Sequence, residues 1–183
     1  MEEIILKKIS VFKTRIEDIE LLDAVNFFAE QNEENFKTKE WQKIYKTDYN
    51  CFNSTEYTKN IIYDAPELFP LAKKLEDKVC ELLKNTHNKH VPFMIYFSWI
   101  NIMKKRGYQE FHKHDQQGGS GVLYLSDENS EIEFSVFPEN ARKRVKPEKG
   151  DLLLFEGTTF HRVLESQVEK RISLAFNFYL SPK

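Results

Sequence analysis

Three histidines and one arginine are the residues of this sequence whose types and spacing suggest chemistry. His112 and His114 stand two positions apart, so on an extended backbone their side chains project to the same side and can close on one ion. His161 follows after an apolar stretch, and Arg171 lies ten residues further along. Imidazole binds iron, zinc, copper and nickel. The pattern predicts a metal site with these histidines as candidate ligands.

The number of ligands narrows the chemistry. Three protein ligands on one face leave about three open positions in an octahedral field, as in non-haem Fe(II) oxygenases. A 2-oxo acid can fill two of them and leave one for O₂. The far carboxylate of 2-oxoglutarate then needs a cation, and a planar guanidinium fits it best. Arg171, with Ser173 on the same face of its strand, is the candidate for that role.

Alternation in the last strand, over residues 171–180, predicts where Arg171 points. One face carries Ile172, Leu174, Phe176, Phe178 and Leu180, and the other carries Arg171, Ser173, Ala175, Asn177 and Tyr179. We expect helices to cover the apolar face, so the other face looks into a barrel. A buried guanidinium is costly unless it meets an anion, and no acid nearby in the sequence is an obvious partner.

The elements that must position these residues are helices first and strands second. An extended segment is expected over 4–12, a helix of about fourteen residues from Ile16, and a second helix from a capping box at Asp64 to about Asn85. Residues 32–63 show no regular period. Strands are expected over 93–103, 122–125, 132–136, 151–155 and 171–180, with a turn at 104–107. This order predicts a mainly β fold with N-terminal helices, a sandwich or jelly roll.

Composition sets the class of protein. At 183 residues the chain fits one domain, 1–183, in which residues 1–92 give helical support and 93–183 form the catalytic core. With 27 basic and 29 acidic residues and no basic stripe, no nucleic-acid partner is expected. No apolar run reaches membrane-spanning length and the N-terminus is acidic, which predicts a cytoplasmic protein without a membrane partner. Cys51 and Cys80 suit neither a zinc finger nor a disulfide, and Cys80 is expected to be a buried thiol.

A set of motifs in residues 93–180 resembles the 2-oxoglutarate/Fe(II)-dependent oxygenase superfamily. More narrowly, it is similar to the phage and marine-bacterial branch related to prolyl 4-hydroxylase. The motifs are His112-x-His114, Ser120-Gly121-Val122-x-Tyr124, Pro147-x-x-Gly150-Asp151-Leu152, Phe155, His161, and Arg171-Ile172-Ser173-x-x-Phe176-Asn177-Phe178. The resemblance implies a double-stranded β-helix (jelly roll), with Fe(II), 2-oxoglutarate and O₂ as cofactors. It also implies hydroxylation of an unidentified substrate with release of succinate and CO₂.

Carried over by position, His112 and His161 are the two histidine ligands, and Arg171 with Ser173 binds 2-oxoglutarate. Most of the superfamily has Asp or Glu where this chain has His114. Because the resembling branch tolerates His-x-His, the ligand set expected is His112, His114 and His161, with no catalytic residue beyond these ligands. Asp115 could supply a carboxylate instead. Three imidazoles would leave the centre one charge unit more positive than two imidazoles and a carboxylate.

Three other functions stay open at this stage. A cupin-type dioxygenase also uses three histidines, but its glutamate is missing from positions 117–119, which read Gln-Gly-Gly. A non-catalytic jelly-roll binding module would keep the histidines as polar core. A zinc hydrolase needs a general base, for which only Asp115 is available. The substrate is expected to be a small molecule or a peptide, and the oligomeric state cannot be predicted.

Overall fold

The structure is a computed structural model that describes residues 10–36, 48–87, 93–114, 118–136 and 141–180. Its elements are β1 (Val11–Arg15), α1 (Ile19–Gln31), β2 (Asp48–Asn53), α2 (Ile61–Asp64), α3 (Phe69–His87), β3 (Phe93–His112), β4 (Gly119–Tyr124), β5 (Ile132–Val136), β6 (Ala141–Val145), β7 (Asp151–Glu156), β8 (Phe160–Val163) and β9 (Lys170–Leu180). Short 3₁₀ turns cover Glu33–Asn35, Ser54–Glu56 and Pro66–Leu68. The predicted class, mainly β with N-terminal helices, is confirmed.

The strands form one curled antiparallel sheet in the order β1-β7-β4-β9-β3-β8-β5-β6, with β2 on β3. β3 turns the sheet back on itself, because its first half pairs with β9 and its last residues pair with β8. The strands β8, β5 and β6 therefore form a second wall that shares β3 with the first. The space between the two walls is called the lumen below.

The helices cover the outer face of the first wall, as the alternation of β9 predicts. Leu22 of α1 and Leu75 of α3 lie in one buried cluster with Ile172, Leu174 and Phe176. Each such side chain contributes roughly 1.5–3 kcal/mol when it leaves water. The apolar face of β9 is thus fixed against the helices, which turns Arg171 and its alternate neighbours toward the lumen.

Both helices begin later than the sequence predicts. α1 begins at Ile19 because Asp18 caps it, with its carboxylate accepting the backbone N–H of Leu21 at 3.2 Å. Ile16 instead donates its backbone N–H to the Gly150 carbonyl at 2.8 Å, which holds it outside the helix. Asp64 closes α2 and accepts the Asn60 backbone N–H at 3.2 Å, so α3 begins only at Phe69.

β3 is longer than predicted, and the turn expected at 104–107 is wrong. The backbone of this segment is tied to the loop before β9, with Arg106 donating its N–H to the Ser166 carbonyl at 2.7 Å. Arg106 adopts a positive φ of 64°, which bends the strand without ending it. A register shift lies between Ile95 and Phe97, so the faces of β3 exchange there. Ile95 packs with the helices, whereas Phe97 lies on the lumen face opposite Asn177.

The segment 32–63 is only partly irregular, since it contains β2 and α2. The sequence did not predict β2, because this strand is short and its apolar and polar residues do not alternate throughout. Its polar residues are paired with β3 instead of facing solvent on one side. Two aromatic residues of this segment, Trp41 and Tyr45, lie outside the described residues. Cys51 on β2 is buried, whereas Cys80 is half-buried and therefore less buried than expected. Among the helices in the described part of the chain, none has the length and hydropathy needed to cross a bilayer.

We expect Gly121→Ala to lower the free energy of unfolding by about 1–3 kcal/mol, which urea denaturation measures. A methyl group at this position would meet the Phe176 ring at 2.2 Å, so β4 and β9 would have to separate. The double variant Gly121→Ala with Phe176→Leu should recover part of the loss, because the smaller side chain leaves room. Full stability of the single variant would contradict this close packing.

Candidate metal centre

The three histidines come together because two strands of the second wall present them side by side. His112 at the end of β3 pairs directly with His161 of β8. His114 follows two residues later, where its backbone N–H donates to the Gly157 carbonyl at 2.8 Å. The tertiary contact between these segments, and not the i, i+2 spacing alone, brings the third imidazole to the pair.

The imidazoles form a compact cluster. One nitrogen of each ring lies within 4.8 Å of one nitrogen of both others. The ring centroids are 4.3 Å apart for His112 and His161, and 5.2 Å apart for each of the other two pairs. His161 is buried and lies beside the rings of Phe134 and Phe155, at centroid distances of 6.2 and 4.8 Å. Ligand distances near 2.1 Å to one ion are compatible with this spacing.

Backbone carbonyls orient two of the rings. The Nδ1 atom of His112 lies 2.8 Å from the Glu110 carbonyl, and that of His161 lies 2.9 Å from the Thr159 carbonyl. A carbonyl only accepts, so Nδ1 of each ring carries the proton and donates it. Each Nε2 is then the unprotonated nitrogen, which is the arrangement found in metal-bound histidines.

Burial and mutual proximity keep the imidazoles of His114 and His161 neutral. Burial, and then the nearby His112, lower the pKa of His114 to about 4. Burial lowers the pKa of His161 well below its ordinary value, with smaller contributions from His112 and His114, and the Thr159 carbonyl opposes this shift. Only deprotonated imidazole ligates metals. These two rings are therefore in the ligating form at neutral pH without having to release a proton.

The metal-free protein is expected to lose stability as the pH falls from 6.5 toward 4. In the unfolded chain His114 binds a proton near its ordinary pKa of 6.5, whereas in the folded chain it does so only near pH 4. Protons therefore favour the unfolded state across this window, by roughly 3 kcal/mol for His114. Urea denaturation at pH 7.5 and 4.5 measures the loss. The variant His114→Gln, which cannot titrate, should lose less, and an equal loss would contradict the assignment.

A second polar cluster lies deeper in the lumen, around Arg171. Arg171 is 2% exposed, and its guanidinium contacts the sulfur of Met103 at 3.9 Å and lies 5.1 Å from the centroid of the Tyr124 ring. Among the described residues, no carboxylate forms an ion pair with it. Asn101, Ser173 and Tyr124 occupy one row across β3, β9 and β4, beside the Arg171–Met103 pair.

This cluster contains buried polar atoms that lack hydrogen-bond partners in the described structure. They are Nε of Arg171, Oγ of Ser173, the Tyr124 hydroxyl and Oδ1 of Asn101. Burial raises the pKa of the Tyr124 hydroxyl, so it remains a donor at neutral pH. An unpaired buried cation costs several kcal/mol unless an anion meets it. The chemistry of this set therefore fits a carboxylate flanked by a guanidinium and two hydroxyl groups.

The two clusters belong to one lumen. Tyr124, which faces Arg171, lies in a buried cluster with Phe134 and Phe155, and both of those rings contact His161. All five residues predicted for the site thus face the lumen: His112, His114, His161, Arg171 and Ser173. Asp115, the alternative ligand, lies outside the described residues. Of the two histidines that were not predicted as ligands, His90 also lies outside them, and the structure describes only the backbone of His87.

Sequence reasoning missed or underrated three features of the site. Trp99, which none of the motifs includes, is half-buried in the lumen with its ring centroid 5.5 Å from that of His114. The face exchange at Ile95 and Phe97 carries no sequence signal that we can identify. Glu110 and Thr159 orient the histidines through their backbone carbonyls, which every residue type has. Their side chains therefore gave no sign of this role in the sequence. Asn101 and Tyr124 also line the lumen, on either side of Ser173.

Comparison with known proteins shows the family. The sequence profile described as 2OG-Fe(II) oxygenase superfamily matches residues 82–179, more than half of the chain. The chain belongs to the 2OG-Fe(II) oxygenase superfamily. The oxygenase is therefore a 2-oxoglutarate-dependent dioxygenase that uses Fe(II), 2-oxoglutarate and O₂. None of the curated proteins matches the chain.

Solved structures similar to the oxygenase share its fold at low identity. A Pseudomonas putida prolyl-4-hydroxylase is 13% identical over 94% of this chain and 93% of its own, with a TM-score of 0.69. The viral collagen prolyl hydroxylase of Paramecium Bursaria Chlorella virus-1 is 15% identical over 92% and 94%, with a TM-score of 0.61. HygX from Streptomyces hygroscopicus, with nickel and 2-oxoglutarate bound, is 12% identical over 93% and 83%, with a TM-score of 0.62. These structures support the predicted jelly-roll fold.

Proposed function

We propose that His112, His114 and His161 hold the iron of this oxygenase and that Arg171 binds the distal carboxylate of 2-oxoglutarate, with Ser173 assisting. The observation that carries the proposal is a buried guanidinium, with no ion pair to any carboxylate that the structure describes, in the same lumen as three converging imidazoles. We also propose that the chain acts as one catalytic domain, 1–183, on a small-molecule or peptide substrate.

The anion cluster supports 2-oxoglutarate over the alternatives. A trihistidine dioxygenase without 2-oxoglutarate has no need of a buried arginine, and a binding module needs neither the arginine nor neutral, oriented imidazoles. Arg171 Nε, Ser173 Oγ and the Tyr124 hydroxyl are donors that meet no acceptor among the described residues, and a carboxylate offers about four lone-pair sites to them. Charge-assisted bonds of this kind are about twice as strong as neutral ones.

The ligand set explains how the protein contributes to oxidation. With 2-oxoglutarate, the iron supplies the oxidation of a C–H bond, for which we propose hydroxylation with succinate and CO₂ as co-products. The protein orients Nε2 of His112 and His161 through backbone carbonyls and keeps His114 and His161 deprotonated by burial. Phe134 and Phe155 pack beside His161 and exclude water from that side.

Anaerobic absorption spectroscopy tests the proposal. Adding Fe(II) and then 2-oxoglutarate to the protein should produce a visible metal-to-ligand charge-transfer band, which forms only when the keto acid chelates the iron. The band should be absent in His161→Ala and should need much more 2-oxoglutarate in Arg171→Met. If saturating iron and 2-oxoglutarate give no band in the unaltered protein, the proposed chemistry is wrong.

A further inference from the structure

A row of aromatic side chains leads away from the histidines along the lumen face of β3 and β9. We call it the aromatic strip and define it as Tyr96, Phe97, Trp99 and Tyr179. Phe97 and Trp99 have ring centroids 5.1 Å apart, and the rings of Tyr96 and Tyr179 are stacked at 4.1 Å. All four side chains are half-buried, so each presents part of its ring to solvent.

The strip is continuous with the proposed iron site. Trp99 lies at its inner end, where its ring centroid is 5.5 Å from that of His114. The cross-strand neighbour of Trp99 on β9 is Ala175, whose small side chain adds no polar or charged group beside the ring. A molecule that reaches an open position on the metal from this side must therefore lie against Trp99.

The strip and its cross-strand neighbours carry no charge in the described part of the chain. Phe97 lies opposite Asn177, and the side-chain oxygen of Asn177 accepts the Ser120 hydroxyl at 2.8 Å. Asn177 is 7% exposed, so little of its amide is presented to a ligand. The strip itself thus offers ring faces and no ionic partner.

The basic side chains around the three histidines are turned away from the lumen. Lys113, between His112 and His114, lies over the Phe160 ring at 5.4 Å on the other side of the second wall. The guanidinium groups of Arg142 and Arg162 lie over Phe111 on that outer side, at 5.4 and 4.7 Å. The wall therefore separates its exposed charges from the aromatic lining.

We propose that the aromatic strip binds an electroneutral ring of the substrate, stacked against Trp99 with a ring or adjacent C–H bond toward the metal. This inference rests on the proposed function of the site. A ring buries its face on Trp99 and Phe97 and gains the attraction of offset aromatic stacking. A charged group would lose its hydration beside rings that return no ion pair.

Electrostatics further disfavours a cation. Three neutral imidazoles leave a divalent ion with its full charge, and Arg171 adds one more positive charge. The two carboxylates of 2-oxoglutarate do not fully balance this total positive charge. The attraction of a cation to an aromatic face is about 0.5–2 kcal/mol, and this repulsion opposes it. An anion would find no cationic side chain on the strip and only the hydroxyl and indole N–H groups of Tyr96, Tyr179 and Trp99 as donors. Its lost hydration would not be repaid by an ion pair, so a neutral ring is the ligand that the strip accepts best.

Three probes of the same shape and different charge test the inference: benzamide, benzamidine and benzoate. Saturation-transfer NMR measures their binding to the full chain loaded with Zn(II) and saturating 2-oxoglutarate, which allows no turnover. We expect benzamide to bind at least fivefold more tightly than either charged probe. Trp99→Ala should weaken benzamide binding about tenfold, and Trp99→Phe should retain most of it. Phe27→Ala removes a ring that is 62% exposed on α1 and should change nothing.

The outcomes separate this inference from the function on which it rests. Calorimetry of 2-oxoglutarate binding to the Zn(II)-loaded protein is measured in parallel. If 2-oxoglutarate binds normally but Trp99→Ala binds benzamide as well as the unaltered protein, the inference fails and the proposed function stands. Equal binding of the three probes, or preference for a charged one, also overturns it. If 2-oxoglutarate does not bind while benzamide binding depends on Trp99, the proposed function is the part that fails.

Discussion

Arg171→Met is expected to weaken 2-oxoglutarate binding at least a hundredfold while leaving the metal-free protein as stable as before or more stable. The guanidinium is the only charge at its end of the lumen that the described residues leave unpaired, so its loss removes the partner of the distal carboxylate. Leaving one member of a buried ion pair alone costs about 3–5 kcal/mol. Without ligand the same arginine is a desolvated cation, so a methionine of similar length relieves that cost by about 1 kcal/mol or more.

Calorimetric titration of 2-oxoglutarate into the Zn(II)-loaded variant measures the first effect, and urea denaturation of the metal-free variant measures the second. Arg15→Met serves as the matched control, because that guanidinium lies on the surface and pairs with Glu148 at 2.9 Å. The control should bind 2-oxoglutarate normally. A large loss of stability in metal-free Arg171→Met would show that the arginine supports the fold, which contradicts its assignment as a ligand-binding group.

His161→Ala is expected to lower Fe(II) and Zn(II) affinity at least a hundredfold, whereas His114→Asp should bind either metal within about tenfold of the unaltered protein. Removing one of three ligands loses roughly 3 kcal/mol, since four-ligand zinc sites are worth about 10–16 kcal/mol in total. An aspartate at position 114 replaces imidazole with a carboxylate that also ligates iron. It lowers the charge of the centre by one unit.

Competition with a chromogenic chelator at pH 7.5 measures both affinities. Asp115→Asn is the control that separates the two candidate ligand sets: it should bind metal normally if His114 is the third ligand. If Asp115→Asn loses affinity and His114→Ala does not, the third ligand is the carboxylate and the trihistidine assignment is wrong. Circular dichroism of each variant checks that the sheet is intact.

Local patterns in the sequence were sufficient for the fold class and for every residue proposed at the site. Strict alternation in β9 predicted its two faces, because the apolar face has to be buried against the helices. The prediction was weaker where local signals compete. Lys104 to Gly107 resembles a turn, yet contacts with the loop before β9 keep it within β3. β6 was not predicted at all, since this edge strand is polar and exposed along nearly its whole length.

The residue types and their spacing, by themselves, identified three imidazoles as candidate metal ligands and an arginine on an inward strand face without a nearby acid. Only the tertiary structure decided that the candidate ligand nitrogens lie within 4.8 Å of one another and that Trp99 faces the lumen. The reason is physical. Alternation is a property of one strand, whereas the pairing of His112 with His161 and the face exchange near Tyr96 depend on the register between strands that are distant in sequence.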